Sequence, residues 1–514
     1  GAMDAAPQPA RNTLVVSDLH LSDAQEPIPG KPLWKRYKQR DLFIDEVFDR
    51  FLAHFEGELP SGSELILNGD VFDFDSAMAL PTERLFPVSW LERRRGLGSE
   101  EAKSRFVMGR ILQDHAVFVA ALRRWVLAGN TVIVVIGNHD IELQWHSVRA
   151  DLVASLGLPD HLRDAVRVCE WFYVSQGDTL IEHGNQYDSY CLCADPIHPT
   201  IRWRGKRRVR VPFGNLAERY MLNAMGLFNP HVDSSFIKSG PEYVRFFVRY
   251  MLRIQPFIGW TWFWGALVTL VSSVREGFLP SVKDPLTIEQ RVDDIARRAN
   301  TTTAAVRGLQ AIHAHPAIFS PWRIARELWL DRAAILAVLV FGSFQIYSVL
   351  NVFAPVSPWW AGAVFLLLLP PFLFYARSVR SGTSEAKGLL LDRAPLAAKI
   401  CGVSRVVVGH THEEQHIALE GLELLNTGTW SPAYRDVECT VPFGRKCFAW
   451  LRPDGEGARR ADLFEWTDPG HAPIRPVRVT ERAAPWLEAA RRAARALGRL
   501  REEAESKRAD GPPR

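Results

Sequence analysis

Cysteine is scarce in this chain, with six residues in 514: Cys169, Cys191, Cys193, Cys401, Cys439 and Cys447. Their spacing makes neither a zinc ribbon nor a disulfide framework, which fits a reducing compartment. The one close pair, Cys191 and Cys193, reads as free thiols. Excess charge is also lacking, since 62 Lys+Arg against 58 Asp+Glu leaves +4. That balance argues against whole-protein attraction to nucleic acid and leaves any anion preference to local patches. Lysine is rare beside arginine, a bias associated with GC-rich bacteria. No internal repeat is visible. Gly1-Ala2-Met3 reads as a cleavage scar, and the polar residues after it lack the apolar core of a signal peptide, so the N-terminus is expected to stay in the cytoplasm. What remains is ordinary for a globular protein, 47% hydrophobic and 23% charged, at a length that allows two or three domains.

A short apolar strand followed by a turn bearing Asp, Asn or His recurs five times. Residues 12–17 lead into Asp18-Leu19-His20, and 64–67 into Asn68-Gly69-Asp70. Residues 131–136 lead into Gly137-Asn138-His139-Asp140, and 179–182 into His183-Gly184-Asn185-Gln186-Tyr187-Asp188. Residues 405–408 lead into Gly409-His410-Thr411-His412. Helices are expected at 41–55, where Phe43, Ile44, Val47, Phe48, Phe51 and Leu52 share a face, and at 114–127, before Gly129-Asn130. Continuous apolar strands are buried on both faces, and ligands of α/β folds gather at strand ends. Five such ends can converge on one site.

The residues at those ends, Asp18, His20, Asp70, Asn138, His183, His410 and His412, offer oxygen and nitrogen donors. Such a set suits Mn, Fe or Zn. Two ions about 3.5–4 Å apart need a bridging carboxylate. Asp18 and His20 stand two apart, so an extended segment points them the same way; His410 and His412 repeat the spacing. Each motif alone is common, and the five in order carry the reading.

In that order, Asp-x-His, Gly-Asp, Gly-Asn-His-Asp, His-Gly and Gly-His-x-His resemble the calcineurin-like metallophosphoesterase superfamily, over residues 12–190 and 395–450. The resemblance implies an α/β fold, a β-sandwich flanked by helices in four layers. It implies two divalent ions, Mn first with Fe or Zn as alternatives. Asp18, His20, Asp70 and His412 would hold one ion; Asp70, Asn138, His183 and His410 would hold the other, with Asp70 bridging. His139 would be general acid or charge stabiliser beside the phosphate, oriented by Asp140, and a hydroxide bridging the ions would attack in line. Phosphoryl transfer needs mainly positioning and charge neutralisation. Residues 17–22 and 69–74 resemble the UDP-2,3-diacylglucosamine pyrophosphohydrolase branch, which acts on a nucleotide-linked lipid in lipid A synthesis. The chain departs from that branch in having His139 where arginine is typical and in a far longer insertion between His183 and His410.

That insertion, 191–394, holds three uncharged apolar stretches at 254–274, 333–354 and 359–376. Each reaches the length of about 17–25 residues that crosses a bilayer as a helix. His183 and His410 must meet, so the number of crossings between them is even. The expected pair is a membrane hairpin over 333–376, turned at Pro355-Val356-Ser357-Pro358, with Trp359 and Trp360 in the headgroup zone. Arg323, Arg326 and Arg332 before it, with Arg377 and Arg380 after it, place both ends in the cytoplasm. A buried hairpin in a soluble lid is the alternative. Residues 254–274, with Trp260-Thr261-Trp262-Phe263-Trp264, read as an interfacial helix or a lid helix.

The basic run Arg202, Arg204, Lys206, Arg207, Arg208 and Arg210 reads either as a solvated strand or as a patch for anionic headgroups or a substrate diphosphate, anchored by Trp203. Arg202, Arg204, Arg207 and Arg208 are therefore candidate substrate contacts, as are Asn185, Tyr187 and Asp188, which turn formation explains equally well. Sparse aromatic interleaving disfavours nucleic acid. His54, His115, His146, His198, His231, His313 and His315 fit no motif and read as structural or surface residues.

The expected organisation is a core in two parts, 12–190 and 395–470, around the insertion, then a C-terminal helix and polar tail at 471–514. The expected function is hydrolysis of an amphiphilic phosphate or pyrophosphate ester at the cytoplasmic face of a bacterial inner membrane. A soluble substrate and a non-catalytic membrane scaffold are the rival readings.

Overall fold

The computed structural model describes residues 11–227, 229, 245, 247–378, 383–419, 421–455 and 457–478. In chain order the strands are β1 (Thr13–Val16), β2 (Glu64–Asn68), β3 (Thr131–Val135), β4 (Val166–Cys169), β5 (Phe172–Ser175), β6 (Thr179–Glu182), β7 (Thr200–Trp203), β8 (Lys206–Val209), β9 (Arg405–Val408), β10 (Gln415–Leu419), β11 (Leu422–Asn426), β12 (Cys447–Pro453), β13 (Arg459–Trp466), β14 (His471–Ile474) and β15 (Val477–Arg478). A seven-stranded sheet has the order β14-β13-β12-β1-β2-β3-β4, with β1 to β4 parallel. A six-stranded sheet has the order β15-β10-β11-β9-β6-β5, with β6, β9 and β11 parallel.

The apolar runs place successive side chains on opposite faces of each strand. Val15, Ile66, Ile133 and Val135 of the first sheet meet Ile181, Val407 and Leu425 of the second in a core between the sheets. Leu14, Val16, Leu65, Leu67, Val132 and Val134 instead face the helices Asp45–Glu58, Glu101–Asp114 and Ala116–Leu127. Leu180, Val406 and Val408 face the helices Ile288–Arg298, Thr303–Ala311 and Thr383–Cys401. The result is a mixed α/β architecture in which two sheets lie between two helical layers. Each fully buried aliphatic side chain contributes about 1.5–3 kcal/mol, so these stripes hold the strand ends firmly.

Several boundaries differ from the sequence expectation. The first helix begins at Asp45, because residues 40–42 form a 3-10 turn and Phe43 is extended. The helix expected at 114–127 runs Ala116–Leu127; Asp114 ends the preceding helix Glu101–Asp114, and His115 stands between the two. Buried His115 takes Asp45 Oδ1 and Ser22 O, each at 2.7 Å, and this tertiary pairing interrupts the helical run. The segment 288–311 and the helix Thr383–Cys401 are the outer layer of the six-stranded sheet, so only part of the insertion is a lid. The core also continues past 470 through β14 and β15. The rest of the expected C-terminal helix lies outside the described residues, as do His231 and Arg380.

The lid begins with the hairpin β7–β8 and the helix Phe213–Tyr220, which packs on the helix Ile258–Phe278. The latter buries Gly265, Ala266, Thr269, Ser272, Ser273 and Glu276 and exposes Trp260, Trp264, Val271 and Phe278. It follows Val248–Ile254 after a 69° bend, so the apolar stretch expected at 254–274 is not straight. The helices Leu330–Phe353 and Trp359–Ser378 pack on each other as a hairpin. Tyr375 Oη donates to buried Asp331 at 2.8 Å and pins its base. Among the described residues, Leu330–Phe353 is the one unbent helix that is long and apolar enough to cross a bilayer, with a mean hydropathy of 2.1. The apolar stretch of the second arm is Trp359–Leu373.

Candidate metal centre

The seven candidate ligands stand at the C-terminal ends of β1, β2, β3, β6 and β9, all parallel strands. Five of them are non-glycine residues in left-handed backbone: Asp18 (φ 56°), His20 (51°), Asp70 (50°), His410 (66°) and His412 (56°). Such a conformation costs about 1–3 kcal/mol per residue and persists only where the surroundings impose it. Here the turns are laced together. Asp18 N donates to Gly69 O at 3.1 Å and His20 N to Asp70 O at 2.9 Å. Asp18 O accepts from Trp430 N, Ser431 N and Thr429 Oγ1, at 3.1, 3.0 and 2.9 Å. Within the six-stranded sheet Gly409 N donates to His183 O at 2.9 Å, and across the sheets His410 N donates to Asp18 Oδ2 at 3.1 Å.

Glycine before Asp70, Asn138 and His410 leaves room for a ligand from another turn. A Cβ on Gly137 would stand 2.2 Å from Asp70 Oδ1, one on Gly409 2.6 Å from Asp18 Oδ2, and one on Gly69 2.4 Å from the His183 ring. The Gly-Asp, Gly-Asn and Gly-His dipeptides are thus a packing requirement of the cluster.

The donor atoms converge in overlapping groups, Asp18–His20–His412, His20–Asp70–His139 and Asp70–His183–His410, each within 4.8 Å. Asp70 belongs to two of them. His412 Nε2 lies 3.1 Å from Asp18 Oδ1 and 3.2 Å from His20 Nε2. His183 Nε2 is 3.0 Å from Asp70 Oδ2, yet off the hydrogen-bonding direction. Asn138 Oδ1 is buried and accepts no hydrogen bond, a costly state for a polar atom. His183 donates Nδ1–H to Asn68 O at 2.9 Å, which fixes the tautomer with Nε2 facing the cluster. An all-oxygen and nitrogen set with aimed, unsatisfied donors fits divalent cations such as Mn, Fe or Zn.

Electrostatics follow from this crowding. Against burial, the His183, His139 and His20 imidazoles hold the Asp70 carboxyl well below the usual range. Against burial, Asp70 and Asp18 push His183 up to about 9. His139 is held well above the ordinary imidazole value, because the carboxylates of Glu218, Asp70 and Asp75 outweigh its burial.

The expected role of Asp140 is corrected. Its Oδ1 accepts from Gly137 N at 2.6 Å and its Oδ2 from Val71 N at 2.9 Å, so it braces the turns that carry Asn138 and Asp70. His139 Nδ1 is held by Asp75 Oδ2 at 2.8 Å, with Glu218 Oε2 at 3.4 Å. Asp75 also accepts from Asn215 and Arg219 of the helix Phe213–Tyr220, and Arg219 continues to Glu142. Asn215 Nδ2 reaches Asn138 O at 2.9 Å. Sequence reasoning missed Asp75, Asn215, Glu218 and Arg219. The acids at 73 and 75 after Gly69-Asp70, and the polar face Asn215/Glu218/Arg219 of an otherwise apolar turn, were the available signals.

The candidate substrate contacts fare unevenly. Asp188 Oδ2 lies 2.9 Å from His410 Nε2, so it supports a candidate ligand. Tyr187 is 1% exposed and donates to Glu182 Oε2 at 2.8 Å within the core. Asn185 is buried and donates to Cys191 O at 3.2 Å. These three are structural in this geometry. Arg208 is paired with buried Glu276, while Arg202, Arg204 and Arg207 are exposed on β7–β8. That hairpin bonds to Ser99, Glu100 and Ser281 and, among the described residues, makes no hydrogen bond or ion pair to a candidate ligand. No family model matches the chain, and no curated protein does.

Proposed function

We propose that this chain is a dinuclear metal-dependent phosphoesterase of the calcineurin-like kind, held at a membrane and acting on an amphiphilic phosphate or pyrophosphate ester. The observation that carries the reading is the double membership of Asp70, which joins donor groups drawn from both sheets. Asp18, His20, Asp70 and His412 would hold one divalent ion, and Asp70, Asn138, His183 and His410 the other. Ions so held neutralise phosphoryl charge and provide a nucleophile at neutral pH. The protein's own part is positioning. Asp75 Oδ2 and Glu218 Oε2 stand at His139 Nδ1 and favour its protonated form, in which the ring would give a proton to a leaving oxygen. Asn215 and Arg219 clamp the lid helix to the same carboxylate, which couples the lid to the imidazole.

The membrane reading rests on the hairpin. Its first helix spans 24 residues, about 36 Å at 1.5 Å per residue, and only 6% of its apolar window is buried. A hydrocarbon core of about 30 Å matches that length. An even number of crossings requires the Trp359–Ser378 arm to return through the bilayer, while the bent pair ending at Phe278 lies along the interface.

The test is incubation of purified protein and Mn with UDP-2,3-diacylglucosamine, with Asp70→Ala as the blank and products read by mass spectrometry. UMP released only by the parent supports the reading. Turnover of nitrophenyl phosphate without UMP keeps the metal centre and moves the substrate to another ester. Turnover of neither overturns the enzymatic reading.

A further inference from the structure

A second cluster of donors lies away from this centre. His54 and Glu58 are four apart on the helix Asp45–Glu58, hence on one face, and His471 opens the edge strand β14. Their ligand atoms lie within 4.8 Å of one another. His54 Nε2 stands 3.2 Å from Glu58 Oε1 without hydrogen-bond geometry, and His471 Nδ1 is buried with no hydrogen-bond partner. The two imidazoles lie 5.5 Å apart between Phe55, Trp466 and Phe464. The Asp70-centred groups share none of these residues.

We propose that His54, Glu58 and His471 form a structural binding site for zinc or a similar borderline divalent ion. Two imidazoles and a carboxylate are a common three-ligand zinc set, with water in the fourth position. Ligand atoms about 2.0–2.2 Å from one ion stand roughly 3.5 Å apart, a closure that the half-exposed Glu58 side chain provides. The aromatic rings of Phe55, Trp466 and Phe464 pack against the imidazoles and hold them in place. One turn earlier on the same helix, Arg50 Nη2 pairs with Asp468 Oδ2 at 2.7 Å, across a separation of 418 residues. The ion adds a second strap beside this one. It fixes the edge strand of the seven-stranded sheet to the first helix and closes nearly the whole described chain into a loop. A clip that binds only the folded state raises stability with ion concentration.

The test strips the full-length protein with a chelator, returns zinc alone, and reads zinc equivalents and the zinc-dependent rise in Tm. The parent is expected to hold one equivalent more than His471→Ala or His54→Ala, and both variants to lose the part of the Tm rise that persists in Asp70→Ala. Asp70→Ala is expected to keep it, which separates this site from the proposed catalytic one. Glu58→Gln leaves the packing intact and weakens zinc binding at least tenfold; it decides the matter if the alanine variants fail to fold. Equal zinc content and an equal Tm rise in the parent, His471→Ala and Glu58→Gln would overturn the proposal.

Discussion

Strand β9 and the helix Leu330–Phe353 are both rich in apolar residues, and the molecule uses them in opposite ways. Val406, Val407 and Val408 are 0%, 0% and 1% exposed, covered by the facing sheet and by an outer helix. Val338, Phe341 and Val352 are 69%, 63% and 81% exposed. The first run is held on both faces and delivers His410 and His412 to fixed points in a strained backbone. The second presents Val338, Phe341 and Val352 outward. An apolar run does not by itself say what covers it; packing covers Val406–Val408 with protein and leaves Val338, Phe341 and Val352 exposed.

Single substitutions can break this comparison, beginning with the largest effect. Val407→Lys buries an unpaired charge between the sheets and is expected to abolish folding, a loss above about 4 kcal/mol seen as missing cooperative unfolding. Asp70→Ala is expected to lower kcat by about 10³-fold or more, about 4 kcal/mol, and to reduce bound Mn measured by elemental analysis. Val340→Lys makes the same chemical change as Val407→Lys on the exposed helix. It is expected to leave the detergent-purified fold intact and to weaken vesicle partitioning by about 3 kcal/mol. Unfolding by Val340→Lys would make the hairpin a protein-covered element and sink the membrane reading.

Asp75→Asn and Asp140→Asn sharpen the site. The first is expected to lower kcat by about 10²-fold with KM little changed, through the lost charge partner of His139. The second is expected to act on the denaturation midpoint, by about 1.5–3 kcal/mol, because asparagine keeps one acceptor oxygen and loses one of the two bonds to Gly137 N and Val71 N. The smallest effect is expected from Arg207→Ala, about 1 kcal/mol in binding to anionic vesicles and none on turnover of a soluble ester.

The candidate ligands were legible because their chemistry is local. Each apolar strand and its Asp, Asn or His turn fit in a few residues, and the order of five such units marked one shared edge. Asp75 and Glu218 were not legible. They lie 143 positions apart, and only the packed fold brings Asp75 from the segment after β2 and Glu218 from the helix Phe213–Tyr220 to His139. Asp140 shows the same limit from the other side: adjacency to His139 suggested a partner, whereas the turn directs its carboxylate to backbone N–H groups. His115 fits no motif in the sequence, and its pairing with Asp45 between two helices is visible only in the fold. The helices at 288–311 and 383–401 read as lid because nothing in their own pattern names the sheet they cover.

By itself, then, the sequence determined the apolar strands, the polar turns at their ends and the two arms of the hairpin, since period, chain stiffness and turn chemistry act within a few residues. Tertiary structure decided which carboxylate holds His139, which glycines must lack a Cβ, which part of the insertion is core, and that His54 and His471 meet. Those outcomes depend on atoms brought together from distant positions, and only the packed sheets and helices set the distances between them.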